Sequence, residues 1–324
     1  MKVFLTGGSG FIGSAVARRL RKRGVSVRAL VQRPDEAHAL CRIGCEVVIG
    51  DVRNPGDLLI DGCDRVIHGA ALYRLGLPRS MRREMLQVNV LGTTNVLRAA
   101  RQAGVDKVVY LSSVLVFGNT RGRVVDESHI QDEPHRSFYA HTKHLAHQIA
   151  VEFSRTGLPC VIVQPAAVYG PNDHSQVGHM IRRFVSGRLP FIPFPEAGFD
   201  FVHRDDVAEG IVLALEKAPT GEQYVFGGER STAGEFVRTL AGIMGRNAPR
   251  GAVPSRLLRA TAPLGSIVGP MMGFPPNLKE LIESMDGFTV WASHRKATDE
   301  LGYTFRSIEQ GLKDTLHALR TVSC

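Results

Sequence analysis

Lys2-Val3-Phe4-Leu5-Thr6-Gly7-Gly8-Ser9-Gly10-Phe11-Ile12-Gly13 is the stretch around which the chain reads. Lys2 to Leu5 is a short apolar strand. Gly7, Gly10 and Gly13 follow at a spacing of three and lead into a helix predicted from Phe11 to Arg23. A strand turning tightly into a helix leaves free N–H groups at the helix start, which form an anion site. Glycine is needed where the turn is sharp, where a pyrophosphate meets the backbone, and where helix and strand touch. A bare glycine triplet is a weak signal, but the strand–turn–helix context is the one that gives it meaning.

Downstream, strands alternate with helical patterns. Strands are predicted at 25–31, 46–49, 65–68, 107–112 and 159–163, with helices over 35–43, 79–103 and 138–155 and a short one ahead of 65. Several strands are almost continuously apolar, as expected when helices cover both faces of a parallel sheet. The expected fold class is therefore α/β, a doubly wound parallel sheet. After about Tyr169 the alternation loosens and proline and glycine become frequent, which predicts a smaller C-terminal lobe completing a substrate pocket. The expected division is 1–168 for the dinucleotide half, with 201–226 returning to it, and 169–200 plus 227–324 for the lobe.

At 324 residues the chain is long enough for a large core. Its 44% hydrophobic and 22% charged residues are ordinary for a globular enzyme. Met1 to Leu5 enters the first strand directly, which predicts no secretory leader, and no apolar run reaches the roughly 18 residues of a membrane span. Five cysteines without a CxxC pair predict reduced thiols in a cytoplasmic protein. The net charge of +9 points to an anionic ligand or surface. The arginines are scattered without interleaved aromatics, which argues against nucleic acid. Arg250, Arg256 and Arg259 precede an apolar run, and the 254–272 stretch offers a membrane-touching helix. Pro263, Gly265 and Gly269 favour a broken helix in the lobe instead. His141, His144 and His147 drift around their helix, and no metal site is expected.

The residue that ends the second strand selects between two dinucleotides: an acid accepts from a ribose 2′-hydroxyl, an arginine accommodates a 2′-phosphate. Val31-Gln32-Arg33, with no carboxylate before Asp35, makes Arg33 the candidate and favours NADP over NAD; the plain alternative is that Arg33 lies in solvent. Asp51, after the third strand, is either an acceptor for the adenine amino group or a helix N-cap. Tyr139-Ala140-His141-Thr142-Lys143 places a phenol and an ammonium on one helix face. A lysine beside a tyrosine lowers its pKa and suits it to proton transfer at a carbonyl or alcohol. Ser112-Ser113 ends a strand directed at the same crevice.

This combination resembles the extended short-chain dehydrogenase/reductase family of NAD(P)-dependent epimerases, dehydratases and reductases. Beyond the glycine turn, Gly50-Asp51-Val52, His68-Gly69-Ala70-Ala71, Asn89-Val90-Leu91-Gly92-Thr93-Thr94-Asn95, Val168-Tyr169-Gly170-Pro171, Phe201 to Ala208 and Ala292 to Tyr303 match its landmarks in order. The resemblance implies a Rossmann fold and a catalytic set of Ser113, Tyr139 and Lys143. It also implies that Phe11, Ile12, Val52, Ala70, Ala71, Asn89, Pro165 and Val168 join Gly7, Gly10, Gly13, Arg33, Asp51, Tyr139 and Lys143 around the cofactor. Gln164 departs from the Arg-Pro that many members carry. Pro193 to Phe201 lacks the arginine of a GDGxxxRDF-like run, and with Tyr73-Arg74-Leu75 looks more like the dihydroflavonol-reductase-like branch. That branch includes the hopanoid-associated sugar epimerases and lies near the 3β-hydroxysteroid dehydrogenases.

The apolar segments Phe184–Phe194 and Leu257–Met272 point to a fairly apolar small-molecule substrate, or else to the core of the lobe. The alternatives are a sugar-nucleotide epimerase or dehydratase, and a non-catalytic dinucleotide sensor, which the intact serine, tyrosine and lysine argue against. The resemblance also implies a homodimer through the helices near 79–103 and 138–155.

Overall fold

The glycine-turn unit sits at the centre of a seven-stranded sheet in a computed structural model that describes residues 1–76, 78–249 and 277–322. In chain order, β1 (Lys2–Thr6), α1 (Phe11–Lys22), β2 (Ser26–Val31), α2 (Pro34–Arg42), β3 (Glu46–Ile49) and β4 (Arg65–His68) build its first half. After β4 come α3 (Arg82–Leu86), α4 (Gly92–Gln102), β5 (Lys107–Leu111), the short β6 (Val124–Val125), α5 (Phe138–Arg155) and β7 (Cys160–Pro165). Next are β8 (Ala167–Tyr169), α6 (Gln176–Val185), β9 (Gly198–His203), α7 (Arg204–Lys217), β10 (Gln223–Phe226), β11 (Glu229–Thr232) and α8 (Ala233–Ile243). α9 (Leu278–Met285), β12 (Thr289–Ala292), α10 (Arg295–Leu301) and α11 (Ile308–Val322) close the chain.

The large sheet runs β10-β7-β5-β4-β1-β2-β3, and each neighbouring pair is parallel. The order reverses between β1 and β4, so a crevice opens there at the carboxyl ends of the strands. One face buries Val3, Leu5, Val161 and Val163 under α1 and α7, and the other buries Phe4, Val66, Val108 and Ile162 under α4 and α5. β11, β9, β12 and β6 form a second sheet, with β8 added beside β9. It packs with α6, α8 and α11 as the lobe, whose core includes Phe184, Phe201, Phe236 and Leu312.

After the lobe begins, α7 and β10 join the large sheet, while β9 pairs within the lobe. The chain returns to the large sheet once more near its end. Ala297, Leu301 and Tyr303 pack into the core of the large sheet, where Tyr303 stands 4.9 Å from Phe226 and its hydroxyl donates to Gly227 O at 2.8 Å.

The long helix expected over 79–103 is broken. A turn of 3-10 helix at Arg79–Met81, α3, a π-helical turn at Gln87–Leu91 and α4 follow one another. Two contacts account for this. A Cβ on Gly92 would lie 2.6 Å from Val52 Cγ2, so the backbone of α4 rides directly on the loop after β3. The buried Asn89 amide accepts from Leu72 N (2.7 Å) and donates to Leu72 O (3.1 Å), which ties the π turn to the loop after β4.

Candidate active site

The crevice is a cleft of about 1100 Å³. At its phosphate end α1 begins at Phe11 behind the N-cap Gly10, with no side-chain cap and no acidic residue in its first turn, so the N-terminal N–H groups and the positive end of the helix dipole are available to an anion. Gly7 has φ +73°, and a Cβ there would meet Gly69 and Ala70 backbone at 2.7 Å. A Cβ on Gly13 would lie 2.0 Å from Gly7 O. The turn is therefore pressed against both the β4 loop and its own helix, a cradle that only glycine allows and that fits a pyrophosphate.

At the adenosine end the expected residues divide. Val52 lines the cleft with Gly50 and Gln32. Asp51 is turned to Arg53, whose guanidinium bonds it at 2.5 and 2.9 Å, and its carboxyl is held below the usual range by that arginine. It also accepts from Arg53 N, in the manner of a local cap, and from Gln32 Nε2. Arg33 is 67% exposed and lies outside the cleft wall, paired with Asp35 (3.3 Å) and Glu36 (3.0 Å). Glu36 does line the cleft, and its other oxygen accepts from Ser9 Oγ at 2.9 Å. Lying past the end of β2, it is not marked as a rim residue by the sequence. The first turn of α2 carries Glu36 back over the end of β2, so a carboxylate does stand near this rim.

At the reactive end Ser113, Tyr139 and Lys143 line the same cleft with Ala70, Ala71, Pro165 and Val168. Asn89 is not on the wall, because its amide is spent on Leu72 and on Thr142 Oγ1 (3.0 Å). Tyr139 and Lys143 lie one turn apart on α5. That helix is held at its N-terminus twice: Ser137 Oγ accepts from Ala140 N (3.1 Å), and Glu280 Oε1, from α9, accepts from Phe138 N (2.8 Å). The Tyr73 ring meets Tyr139 edge-on at 4.7 Å, within an apolar cluster that includes Leu75, Phe194 and Leu281.

Burial pushes the Tyr139 phenol above its ordinary value and lowers the Lys143 ammonium to about 7. Ser113 Oγ accepts from Leu115 N at 3.2 Å, which leaves its own O–H free to donate. Ser112 also lines the cleft, with its hydroxyl bonded to His147 Nδ1 at 3.0 Å.

Beyond the tyrosine the wall is largely apolar: Leu115, Phe194, Phe199, Met285 and Phe288. Of the apolar segment 184–194, Phe184 and Ile192 are in the core of the lobe and Phe194 reaches the cleft. The 254–272 segment lies outside the described residues. Asp173, Ser175 and His179 add polar groups to the same cleft; burial raises the Asp173 carboxyl while Ser175 holds both of its oxygens. His141 and His144 stand near His135, at 6.2 and 4.6 Å between rings. Among the described residues no His, Cys, Asp and Glu side chains group as metal ligands, and no helix is long and apolar enough to cross a membrane.

A parallel sheet with a glycine cradle at its switch point and a Ser-Tyr-Lys set beyond it defines a dinucleotide-dependent oxidoreductase. The model of the NAD dependent epimerase/dehydratase family matches residues 3–227, and the chain belongs to that family, among the extended short-chain dehydrogenases/reductases. It is 33% identical over 324 residues to a putative dihydroflavonol 4-reductase of Synechocystis sp., covering 97% of this chain and 93% of that one. It is 32% identical to a 4-hydroxy-2-methyl-3-oxo-4-farnesyl-3,4-dihydroquinoline-1-oxide ketoreductase of Stigmatella aurantiaca, over 98% of this chain and 96% of the relative. Among solved structures, gox2253 superposes with a TM-score of 0.84 at 33% identity, covering 99% and 98% of the two chains. DesIV, a dTDP-glucose 4,6-dehydratase from Streptomyces venezuelae solved with NAD, gives 0.80 at 26% identity, covering 99% and 97%.

Proposed function

We propose that the protein is an NADP-dependent reductase or dehydrogenase acting on the carbonyl or alcohol of a small, fairly apolar molecule. The observation that carries this reading is the convergence of Ser113, Tyr139 and Lys143 on one cleft that Leu115, Phe194, Phe199, Met285 and Phe288 also line. A nicotinamide bound there supplies the hydride that the carbonyl carbon gains. Tyr139 Oη gives its proton to the carbonyl oxygen, and the Lys143 ammonium favours the phenolate left behind. Ser113 Oγ donates to the same oxygen and orients it. The apolar wall excludes water, which strengthens each of these interactions.

A second reading, a sugar-nucleotide epimerase or dehydratase, draws on the polar groups of Asp173, Ser175 and His179 and on the likeness to DesIV. The two separate when the protein is incubated with NADPH or NADP and panels of sterol-like, aromatic and sugar-nucleotide compounds. The reductase reading expects a net change in reduced-nicotinamide absorbance with the apolar panels. A sugar epimer formed without net cofactor turnover would overturn it.

The preference for NADP rests on Arg33, which would exchange its two carboxylate partners for a 2′-phosphate. Glu36, at the same rim, is the group that serves a ribose 2′-hydroxyl. Arg33→Ala is expected to weaken NADPH at least about ten-fold by fluorescence titration and to leave NADH unchanged, a loss of one charge-assisted pair. Equal loss for both cofactors removes the basis for NADP. The proposal includes a homodimer formed through α4 and α5, which sedimentation equilibrium tests directly.

A further inference from the structure

Three adjacent strands each place one polar or aromatic side chain in a single row beneath Lys143. Thr6 on β1 is in register with His68 on β4, and His68 with Tyr110 on β5. All are essentially without solvent exposure. His68 Nδ1 bonds Thr6 Oγ1 at 2.7 Å and His68 Nε2 bonds Thr93 Oγ1 at 3.0 Å.

The Asn89 end of this chain sets the direction at Thr93. Ala70 N can only donate and does so to Thr6 Oγ1 (3.2 Å), while Asn89 O can only accept and takes the Thr93 hydroxyl proton (2.6 Å). Thr93 Oγ1 must then accept from His68 Nε2–H, and with the imidazole neutral Thr6 donates to His68 Nδ1. The imidazole is a neutral, fully bonded plate. Burial and the nearby Lys143 charge lower its pKa to about 3, so it stays neutral wherever the protein works.

The plate stacks on the Tyr110 ring at 5.6 Å and 27°, and Thr93 flanks the Tyr110 phenol. Tyr110 Oη in turn accepts from Lys143 Nζ at 3.3 Å, and Leu111 O accepts from it at 2.7 Å. An ammonium has three N–H groups, and two are taken by consecutive residues of β5. One is left for the cleft.

We propose that Tyr110 is a positioning residue for the Lys143 ammonium, held in place by the buried Thr6–His68–Thr93 chain stacked behind it. This rests on the reading of Lys143 as the partner of Tyr139, and it deepens that reading: the lysine is not a free arm of α5 but a group clamped to the sheet. Its titratable surroundings are Tyr110 and His68 from the strands and Tyr139 and His147 from its own helix. The phenol oxygen of Tyr110 accepts from the charged amine and so favours the protonated form; without it that form is disfavoured.

The test is a titration of Lys143 in protein carrying [ε-13C]lysine, its signal assigned by its absence in Lys143→Arg. Tyr110→Phe keeps the ring that stacks on His68 and removes the oxygen. The Lys143 midpoint is expected to fall by about one pH unit, the scale of one hydrogen bond to a charged group. Thr93→Val is expected to shift it the same way by less, and Thr93→Ser, which restores the hydroxyl, to return it to the parent value. Thermal midpoints and NADPH affinity, read alongside, confirm that each variant is folded. An unchanged Lys143 midpoint in folded Tyr110→Phe overturns the inference. Because the titration needs no turnover, the result stands whether or not Tyr139→Phe is inactive, so failure of this inference and failure of the proposed reaction are told apart.

Discussion

Tyr139→Phe is expected to lose turnover by about a hundred- to ten-thousand-fold, the usual weight of one general acid. Its affinity for the nicotinamide cofactor should be retained. The phenol is buried, edge-on to Tyr73 and surrounded by apolar side chains, so phenylalanine fills the same space and stability should change little. Only the oxygen is lost, and with it the proton delivered to the substrate oxygen. The pH profile adds a second signature. Burial holds the Tyr139 phenol above its ordinary value, so it remains protonated through neutrality, whereas Lys143 is charged below about 7 and neutral above it. In the reducing direction the parent rate should therefore fall as pH rises through that value, and the residual rate of Tyr139→Phe should be flat. Stopped-flow reduction with NADPH from pH 5.5 to about 9 reads both, across the titration range that the lysine spans. Parental turnover in Tyr139→Phe would exclude the phenol as the proton donor.

Gly13→Ala is the second large effect. The added Cβ would stand 2.0 Å from Gly7 O, a distance at which backbone must move. α1 would be pushed off the turn that its N-terminus serves. Overpacking of this kind costs about 1–3 kcal/mol of stability. The loss of binding should be larger, about a hundred-fold or more in dinucleotide affinity, because several N–H groups are misaligned at once. Gly24→Ala provides the comparison. It has φ +74° but nothing within 4 Å of the new Cβ, so it carries the backbone strain without displacing the cradle, and its cofactor affinity should match the parent. Isothermal titration with both variants separates the two effects; equal affinity in Gly13→Ala and the parent would mean that the turn does not hold the phosphates.

What could be read in the sequence was what local pattern encodes. The glycine turn, the strands and the bounds of α5 are written in adjacent residues, with Ser137 capping the helix that then runs to Arg155. The convergence of Ser113, Tyr139 and Lys143 followed from family landmarks in the right order. What escaped was set by distant partners. The break in the 79–103 helix depends on Val52 and Leu72, and no run of residues around Asn89 announces them. Arg33 sits where an arginine for a 2′-phosphate is expected, yet two carboxylates within three residues hold its side chain aside. Glu280 caps α5 from 142 positions away. Apolar composition could not say which of Phe184, Ile192 and Phe194 faces the cleft, because core and pocket wall make the same demand on a side chain.

The late return of the chain bears on how the protein is made. The sheet around the glycine cradle is begun by residue 2, but its edge strand β10 is residues 223–226, and Ala297, Leu301 and Tyr303 cover that region last. A ribosome that has delivered the whole glycine motif, α5 and β7 has still not delivered the pieces that seal one face of the sheet. During that interval Ile162 and Val163 lack β10 beside them, a stretch of apolar strand open to wrong partners. A fragment ending near residue 170 is then expected to aggregate rather than fold as an independent nucleotide-binding half.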